Sequence, residues 1–287
     1  MGIGGKISKA IKNPSKTVSG IGKKIDVSAG KTFYGNTVGF KNNRIGAKKS
    51  NPNSEFAKNE YLFLGNFYEN SLIEKIRKRF SEIIEDDDHS VKMAFYEGKY
   101  YQRHLKRADL LPDVSKLLND KLKKILEEYY GGHFKINHVD ATRNYGVPEE
   151  IVKKTELFSS RYHCDNKRSD YTKLFVHLSD VTEDHGPYQS FSQKRTKELM
   201  KMGFKSRRDY NLPNEIMENE KDLFKGIGPI GTSYLTNTEL CLHRAGIPKV
   251  GLHRDMFKFR IERSDTPMES DWLEHVGNFA TLHDMSV

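Results

Sequence analysis

Residues 161–186 read RYHCDNKRSDYTKLFVHLSDVTEDHG, and the fold turns on how this stretch is read. It opens with His163-Cys164-Asp165. In extended chain side chains alternate, so His163 and Asp165 point to one face and Cys164 to the other. An imidazole and a carboxylate side by side supply two of the three ligands of a facial two-His, one-carboxylate iron site. The third ligand must come from elsewhere. The triplet alone settles nothing, because 11 His and 18 Asp in 287 residues give about 0.7 such triplets by chance. Three occur: His138-Val139-Asp140, His163-Cys164-Asp165 and His253-Arg254-Asp255. What surrounds each must decide. After a polar loop, Asn166 to Asp170, the stretch Tyr171 to Val181 is the clearest strand in the chain. Leu174, Val176 and Leu178 alternate there with Phe175, His177 and Ser179. Glu183-Asp184-His185-Gly186-Pro187 then turns the chain.

Downstream, a Lys/Arg-rich helical insert is expected over about 192–225, carrying Lys194, Arg195, Lys197, Lys201, Lys205, Arg207 and Arg208. It reads as a solvated face or as a lid whose Arg195, Arg207 and Arg208 meet an anionic substrate. Strands are expected at Thr232 to Thr236, Glu239 to His243 and Met256 to Ile261. Gly226 to Gly231 formally matches a dinucleotide fingerprint, but it contains Pro229 and leads into a strand, so it reads as a loop. Upstream, Tyr61 to Leu64 reads as a short strand. A helix follows with Leu72, Ile73, Ile76, Phe80, Ile83 and Ile84 on one face. Val91 to Tyr101 reads as extended chain with a turn at Glu97-Gly98. Asp113 to Tyr130 reads as a second amphipathic helix stopped by Gly131-Gly132. Phe134 to Tyr145 reads as a strand with Ile136, His138 and Asp140 on one face.

The chain carries a net charge of +9, and residues 1–50 alone contribute +10: 11 Lys/Arg against Asp26. The remaining 37 basic and 38 acidic residues nearly cancel. The positive charge therefore acts from residues 1–55, a Gly/Ser/Lys-rich flexible arm and linker. The sharper alternative for the arm is a short basic amphipathic helix, built on Ile3, Ile7, Ala10 and Ile11, that touches an anionic membrane surface or nucleic acid. Residues 56–287 are read as one domain. Two cysteines, Cys164 and Cys241, cannot build a disulfide framework, which points to a reducing, cytoplasmic setting. No run of 18 apolar residues offers a transmembrane segment.

The order of motifs carries a resemblance. His-x-Asp is followed by a polar loop, an apolar strand, an acidic turn with Gly-Pro, a helical insert and a strand ending in His243-Arg244-Ala245-Gly246, with Arg254 11 residues after that His. This order resembles the phytanoyl-CoA dioxygenase family of iron(II)- and 2-oxoglutarate-dependent oxygenases over roughly residues 57–262. The resemblance implies a mostly β fold with flanking helices, a double-stranded β-helix or jelly-roll barrel. It implies Fe(II) on His163, Asp165 and His243, and 2-oxoglutarate held by Arg254 with Phe175 beside it. Asn144 or Arg143 could also touch the cosubstrate, and Arg260 is the alternative anchor. Asp165, where Ala or Gly would leave a halide position, favours hydroxylation by O2 of a small-molecule or lipid-like substrate. Ser190-Phe191-Ser192-Gln193 and Ala245 depart from the family's usual residues near the cosubstrate. Two other readings stay open: a silent jelly-roll binding protein, and an assembly protein acting through its arm. His138 and Asp140 are the rival metal pair or groups lining the pocket.

Overall fold

The computed structural model describes residues 50–165, 171–202 and 222–276. Residues 1–49 of the arm, the loop 166–170, residues 203–221 with Arg207 and Arg208, and residues 277–287 lie outside the described residues. In chain order the elements are α1 (Glu55–Asn59), β1 (Tyr61–Asn66), α2 (Asn70–Ile83), β2 (Ser90–Tyr96), β3 (Lys99–Leu105), α3 (Asp120–Tyr130), β4 (Phe134–Tyr145), α4 (Glu149–Lys154) and β5 (Thr172–His177). They continue with β6 (Tyr188–Ser190), α5 (Gln193–Met202), β7 (Phe224–Lys225), β8 (Thr232–Thr236), β9 (His243–Ala245), β10 (His253–Arg263) and α6 (Trp272–His275). Short 3-10 turns span Ala108–Leu110, Val114–Leu117 and Glu183–His185.

Two antiparallel sheets result. The larger has the order β1-β8-β5-β10-β4-β3-β2, and the smaller β7-β6-β9. β10 is the spine of the larger sheet, with β5 on one side and β4 on the other. Its sequence alternates, so Phe257, Phe259 and Ile261 face one way into an apolar core, while Arg254, Met256, Lys258 and Arg260 face the other way and line a cavity. The same division runs through β4 and β5. Val139, Ala141, Leu174 and Val176 join the core, whereas His138, Asp140, Thr142, Asn144, Lys173 and Phe175 line the cavity. The core is closed by α2 through Ile73, Ile76, Phe80 and Ile83, and by α3 through Leu122, Leu126 and Tyr129. The helices thus cover the outer face of the large sheet. The small sheet covers the inner face, since Tyr188 of β6 and His243 of β9 line the same cavity.

Several expected elements change in detail. The expected helix over 113–130 is a 3-10 turn followed by α3, because the Asn119 side chain caps α3 by accepting the Leu122 N–H at 2.9 Å. The expected strand over Glu239 to His243 is a turn. The Asn237 side chain accepts the N–H groups of Glu239 and Leu240 at 3.1 Å, and strand pairing starts only at His243. Ile136 does not share a face with His138. The ladder with β10 shifts between Arg260–His138 and Ile261–Ile136, and Ile136 enters the core. β10 is longer than expected by three residues at its start and two at its end. The 226–231 segment is a loop, as expected, leading into β8.

Candidate active site

The site begins with backbone pairing. His163 and His243 exchange N–H···O bonds of 2.9 Å in each direction, which adds residue 163 beside β9 on the edge of the small sheet. The Asp165 N–H donates to the Thr238 carbonyl at 2.9 Å. Both imidazoles and the carboxylate are thereby delivered to one point, with ring centroids 4.3 Å apart. His163 Nδ1 lies 2.7 Å from the Arg161 carbonyl and His243 Nδ1 lies 3.0 Å from the Cys241 carbonyl. A carbonyl only accepts, so each Nδ1 carries the proton and each Nε2 presents its lone pair. The two Nε2 atoms stand 3.4 and 3.9 Å from Asp165 Oδ1. One ligand atom from each of the three residues lies within 4.8 Å of the others.

The other oxygen of Asp165 is already committed. Oδ2 accepts from Lys173 Nζ and from Thr238 Oγ1, both at 2.7 Å. Burial pushes the Asp165 carboxyl up, but the Lys173 ammonium outweighs it, by charge and by hydrogen bond, and holds the group ionised, well below the usual carboxylate range. Burial, and then His163, hold His243 down at about 3, so its ring is neutral. With each Nδ1 turned to a carbonyl, the two Nε2 atoms and Asp165 Oδ1 form one set of candidate ligand atoms. Such a constellation is satisfied by a cation, and two imidazoles with one carboxylate fit iron(II) and its first-row neighbours.

The cavity beside this cluster has a volume of about 550 Å³ and is walled by both sheets. Arg254 lines it and is 3% exposed. Its Nη1 donates to the Gly246 carbonyl at 3.2 Å, and among the described residues its Nε has no partner. Burial lowers it to about 10, still a cation at neutral pH. A buried guanidinium with an unmatched donor fits a carboxylate. Phe175 stacks on Tyr234 at 5.1 Å and packs against Tyr188 at 5.0 Å, forming an aromatic wall. Asn144 also lines the cavity, its Oδ1 accepting from Gln102 Nε2 at 2.7 Å. Arg143 does not: it faces the opposite side of β4, where it pairs with Asp255 at 2.7 Å and Glu85 at 2.8 Å.

The rival pair, His138 and Asp140, lines the same cavity but sits in no metal-ligating group among the described residues. Asp140 is paired with Lys258 at 2.6 Å and His104 at 3.0 Å. Arg260 lines the cavity on the same face as Arg254, six residues along β10. Arg195 does not line it; in α5 it pairs with Glu198 at 2.9 Å. Cys164 and Cys241 are free thiols outside the cluster. Lys173 and Thr238 escaped the sequence reading. Lys173 lies two and four residues from Phe175 and His177 in an alternating strand, so its direction was readable. Thr238 lies in a turn, and no sequence pattern marks it.

In sequence the chain matches no family model and no curated protein. In structure it is similar to the non-heme alpha ketoglutarate dependent carbocyclase SnoK from nogalamycin biosynthesis, with a TM-score of 0.52 at 14% identity over 76% of this chain and 87% of that one. It is similar to the non-heme alpha ketoglutarate dependent epimerase SnoN of the same biosynthesis, with a TM-score of 0.51 at 11% identity over 72% of this chain and 80% of that one. A third similar structure, EctD from S. alaskensis, has a TM-score of 0.50 at 14% identity over 78% of this chain and 85% of that one. The chain has the fold of these enzymes. Its seven- and three-stranded sheets are the two walls of a double-stranded β-helix, and the His163, Asp165 and His243 cluster lies between them. At this identity the likeness concerns the fold, and the fold alone fixes neither substrate nor reaction.

Proposed function

We propose that this chain is an iron(II)- and 2-oxoglutarate-dependent dioxygenase that hydroxylates a small-molecule or lipid-like substrate. One observation carries the reading: two buried imidazoles, each locked with its Nε2 lone pair inward, converge with the free oxygen of Asp165. The double-stranded β-helix supports it, since the similar structures named as alpha ketoglutarate dependent enzymes share that fold.

In this reading His163 Nε2, His243 Nε2 and Asp165 Oδ1 hold the metal, and Arg254 binds the far carboxylate of 2-oxoglutarate. The bound metal and keto acid, with O2, supply the oxidising power for an unactivated C–H bond. The chain's own task is orientation and exclusion of water. Lys173 and Thr238 occupy Asp165 Oδ2, which leaves one oxygen for the metal and fixes the carboxylate plane. Phe175, Tyr188 and Tyr234 keep the cosubstrate end of the cavity dry. Gln102 steadies Asn144 as a neutral polar group on the same wall. A carboxylate at 165 occupies the position a halide would need, which favours hydroxylation over halogenation. The two similar enzymes are named for epimerisation and ring closure, so the fold is also found with reactions other than hydroxylation.

The test is an anaerobic titration of the metal-free protein with iron(II) and then 2-oxoglutarate, followed by the weak visible charge-transfer band of a chelated keto acid. The band is expected in the wild type. It is expected to vanish in His163→Ala and to need far more 2-oxoglutarate in Arg254→Ala. A folded wild type with no band sinks the reading.

A further inference from the structure

The inner face of the large sheet is built in rows. Across β5, β10 and β4, Lys173 pairs with Arg260 and Arg260 with His138. The next row inward is Phe175, Lys258 and Asp140. Arg254 lies at the other end of β10, six residues or about 20 Å along the strand from Arg260. The two ends differ in exposure. Arg254 is buried, whereas Lys173, Lys258 and Arg260 are half-buried, so the Arg260 end of this face is the more open one.

Most charges on this face are matched within it. Lys173 is paired with Asp165 at 2.7 Å and Lys258 with Asp140 at 2.6 Å. Arg254 and Arg260 are the exceptions: among the described residues no carboxylate pairs with either, and Arg254 at least donates to the Gly246 carbonyl. Beside Arg260, His138 is 3% exposed, and among the described residues neither of its ring nitrogens has a hydrogen-bond partner. Burial and then the Arg260 guanidinium hold that ring down at about 4, so it is a neutral imidazole with one N–H to donate. A buried imidazole without partners and a half-buried guanidinium without a counter-charge are both costly when nothing binds them. Together they offer donors and positive charge to one external group. The Lys173 end of the same row touches the carboxylate of the metal cluster, so a group bound there sits beside the reacting centre.

We propose that Arg260 and His138 form an oxyanion-binding subsite, and that the substrate carries a carboxylate or a phosphate ester that docks in it. The substrate assignment rests on the oxygenase reading; the anion site does not. It moves anion recognition from the α5 region to the more open end of the cavity.

The experiment uses the full-length, metal-free protein at constant ionic strength. Calorimetric titrations with inorganic phosphate and with acetate distinguish the two anion chemistries. One of them is expected to bind at a single site. Arg260→Ala is expected to weaken that binding about tenfold or more, as loss of a charge-assisted pair implies. His138→Ala is expected to weaken it less and Arg260→Lys to recover part of it, each compared also in an Arg254→Ala background, so that the carboxylate-binding Arg254 adds no second anion site. Equal binding in wild type and Arg260→Ala overturns the site, because the anions then bind elsewhere, as on the basic residues 1–50. The iron(II)/2-oxoglutarate band is recorded on the same proteins. If Arg260→Ala loses the band while Arg254→Ala keeps it, the row anchors the cosubstrate, and the substrate proposal falls while the oxygenase reading stands. Absence of the band in every protein, with anion binding still dependent on Arg260, removes the oxygenase reading and leaves the anion site.

Discussion

Asp165 divides its two oxygens between two tasks, and Lys173 is the residue that enforces the division. With Nζ 2.7 Å from Oδ2, it neutralises half of the carboxylate and stops it from turning. Lys173→Met keeps the length of the side chain and removes the charge. It should weaken iron(II) about 10- to 100-fold, as loss of an orienting partner generally does, in competition with a chromophoric chelator. Unchanged affinity would show that Thr238 suffices. A second buried carboxylate acts on stability. Glu60 is 4% exposed and accepts the Tyr129 hydroxyl at 2.6 Å. Burial raises it from 4.5 to about 7. Below pH 4.5 it is protonated in both folded and unfolded chains and costs nothing. Between pH 4.5 and 7 the unfolded chain ionises first, so stability falls as pH rises, by up to about 3 kcal/mol. Glu60→Gln should therefore raise the Tm relative to wild type at pH 8 and leave it unchanged at pH 4.5. Equal Tm values at pH 8 would place the charge in contact with water. Neither lysine nor glutamate announced its role in the sequence, because burial and pairing come from elements 8 and more than 60 residues away.

Two loops meet behind Arg254, and their glycines explain the Gly186-Pro187 and Ala245-Gly246 strings. A Cβ on Gly246 would lie 2.6 Å from both the Gly186 carbonyl carbon and the Pro187 oxygen. A Cβ on Gly186, whose φ is +61°, would lie 2.3 Å from the Ile247 carbonyl carbon. These obstacles are backbone and cannot swing away. Gly246→Ala should cost about 1–3 kcal/mol of stability, the range for overpacking. Since the Gly246 carbonyl holds Arg254, it should also weaken 2-oxoglutarate more than iron(II) in the band titration. An equal loss of both would mean that the loops act only on global stability. Long alternating strands were the most readable elements. β10 and β4 each declare two faces, and the outer apolar positions and inner polar ones fall where alternation puts them. The reading failed where one polar side chain overrides a pattern. Asn119 cuts a helix in two and Asn237 folds an apolar run into a turn. The shift in pairing beside Asn137 reverses Ile136. Each is a local hydrogen-bonding or register choice that hydrophobic periodicity does not encode.

At the scale of the whole molecule, charge is divided by segment. Residues 1–50 carry +10 and the remaining chain −1. The site draws on neither total, because Lys173 and Lys258 are matched by Asp165 and Asp140 inside the cavity and only Arg254 and Arg260 await an external anion. The two halves of the chain should therefore separate by experiment. A chain lacking residues 1–49 retains every described element and should give the same iron(II)/2-oxoglutarate band at the same concentrations. Full-length protein should sediment with vesicles containing anionic lipid at low salt. The truncated chain should not, because a nearly neutral body has little long-range attraction to a negative surface. Raising the salt should release the full-length protein as the Debye length falls from about 10 Å at 0.1 M toward about 3 Å at 1 M. If the truncated chain still sediments, the body itself holds the lipid contact, and Arg260 at the more open end of the cavity becomes the first residue to test. If the full-length protein ignores the vesicles at low salt, the same pair of proteins titrated with nucleic acid decides whether the arm's charge has another polyanion as its target.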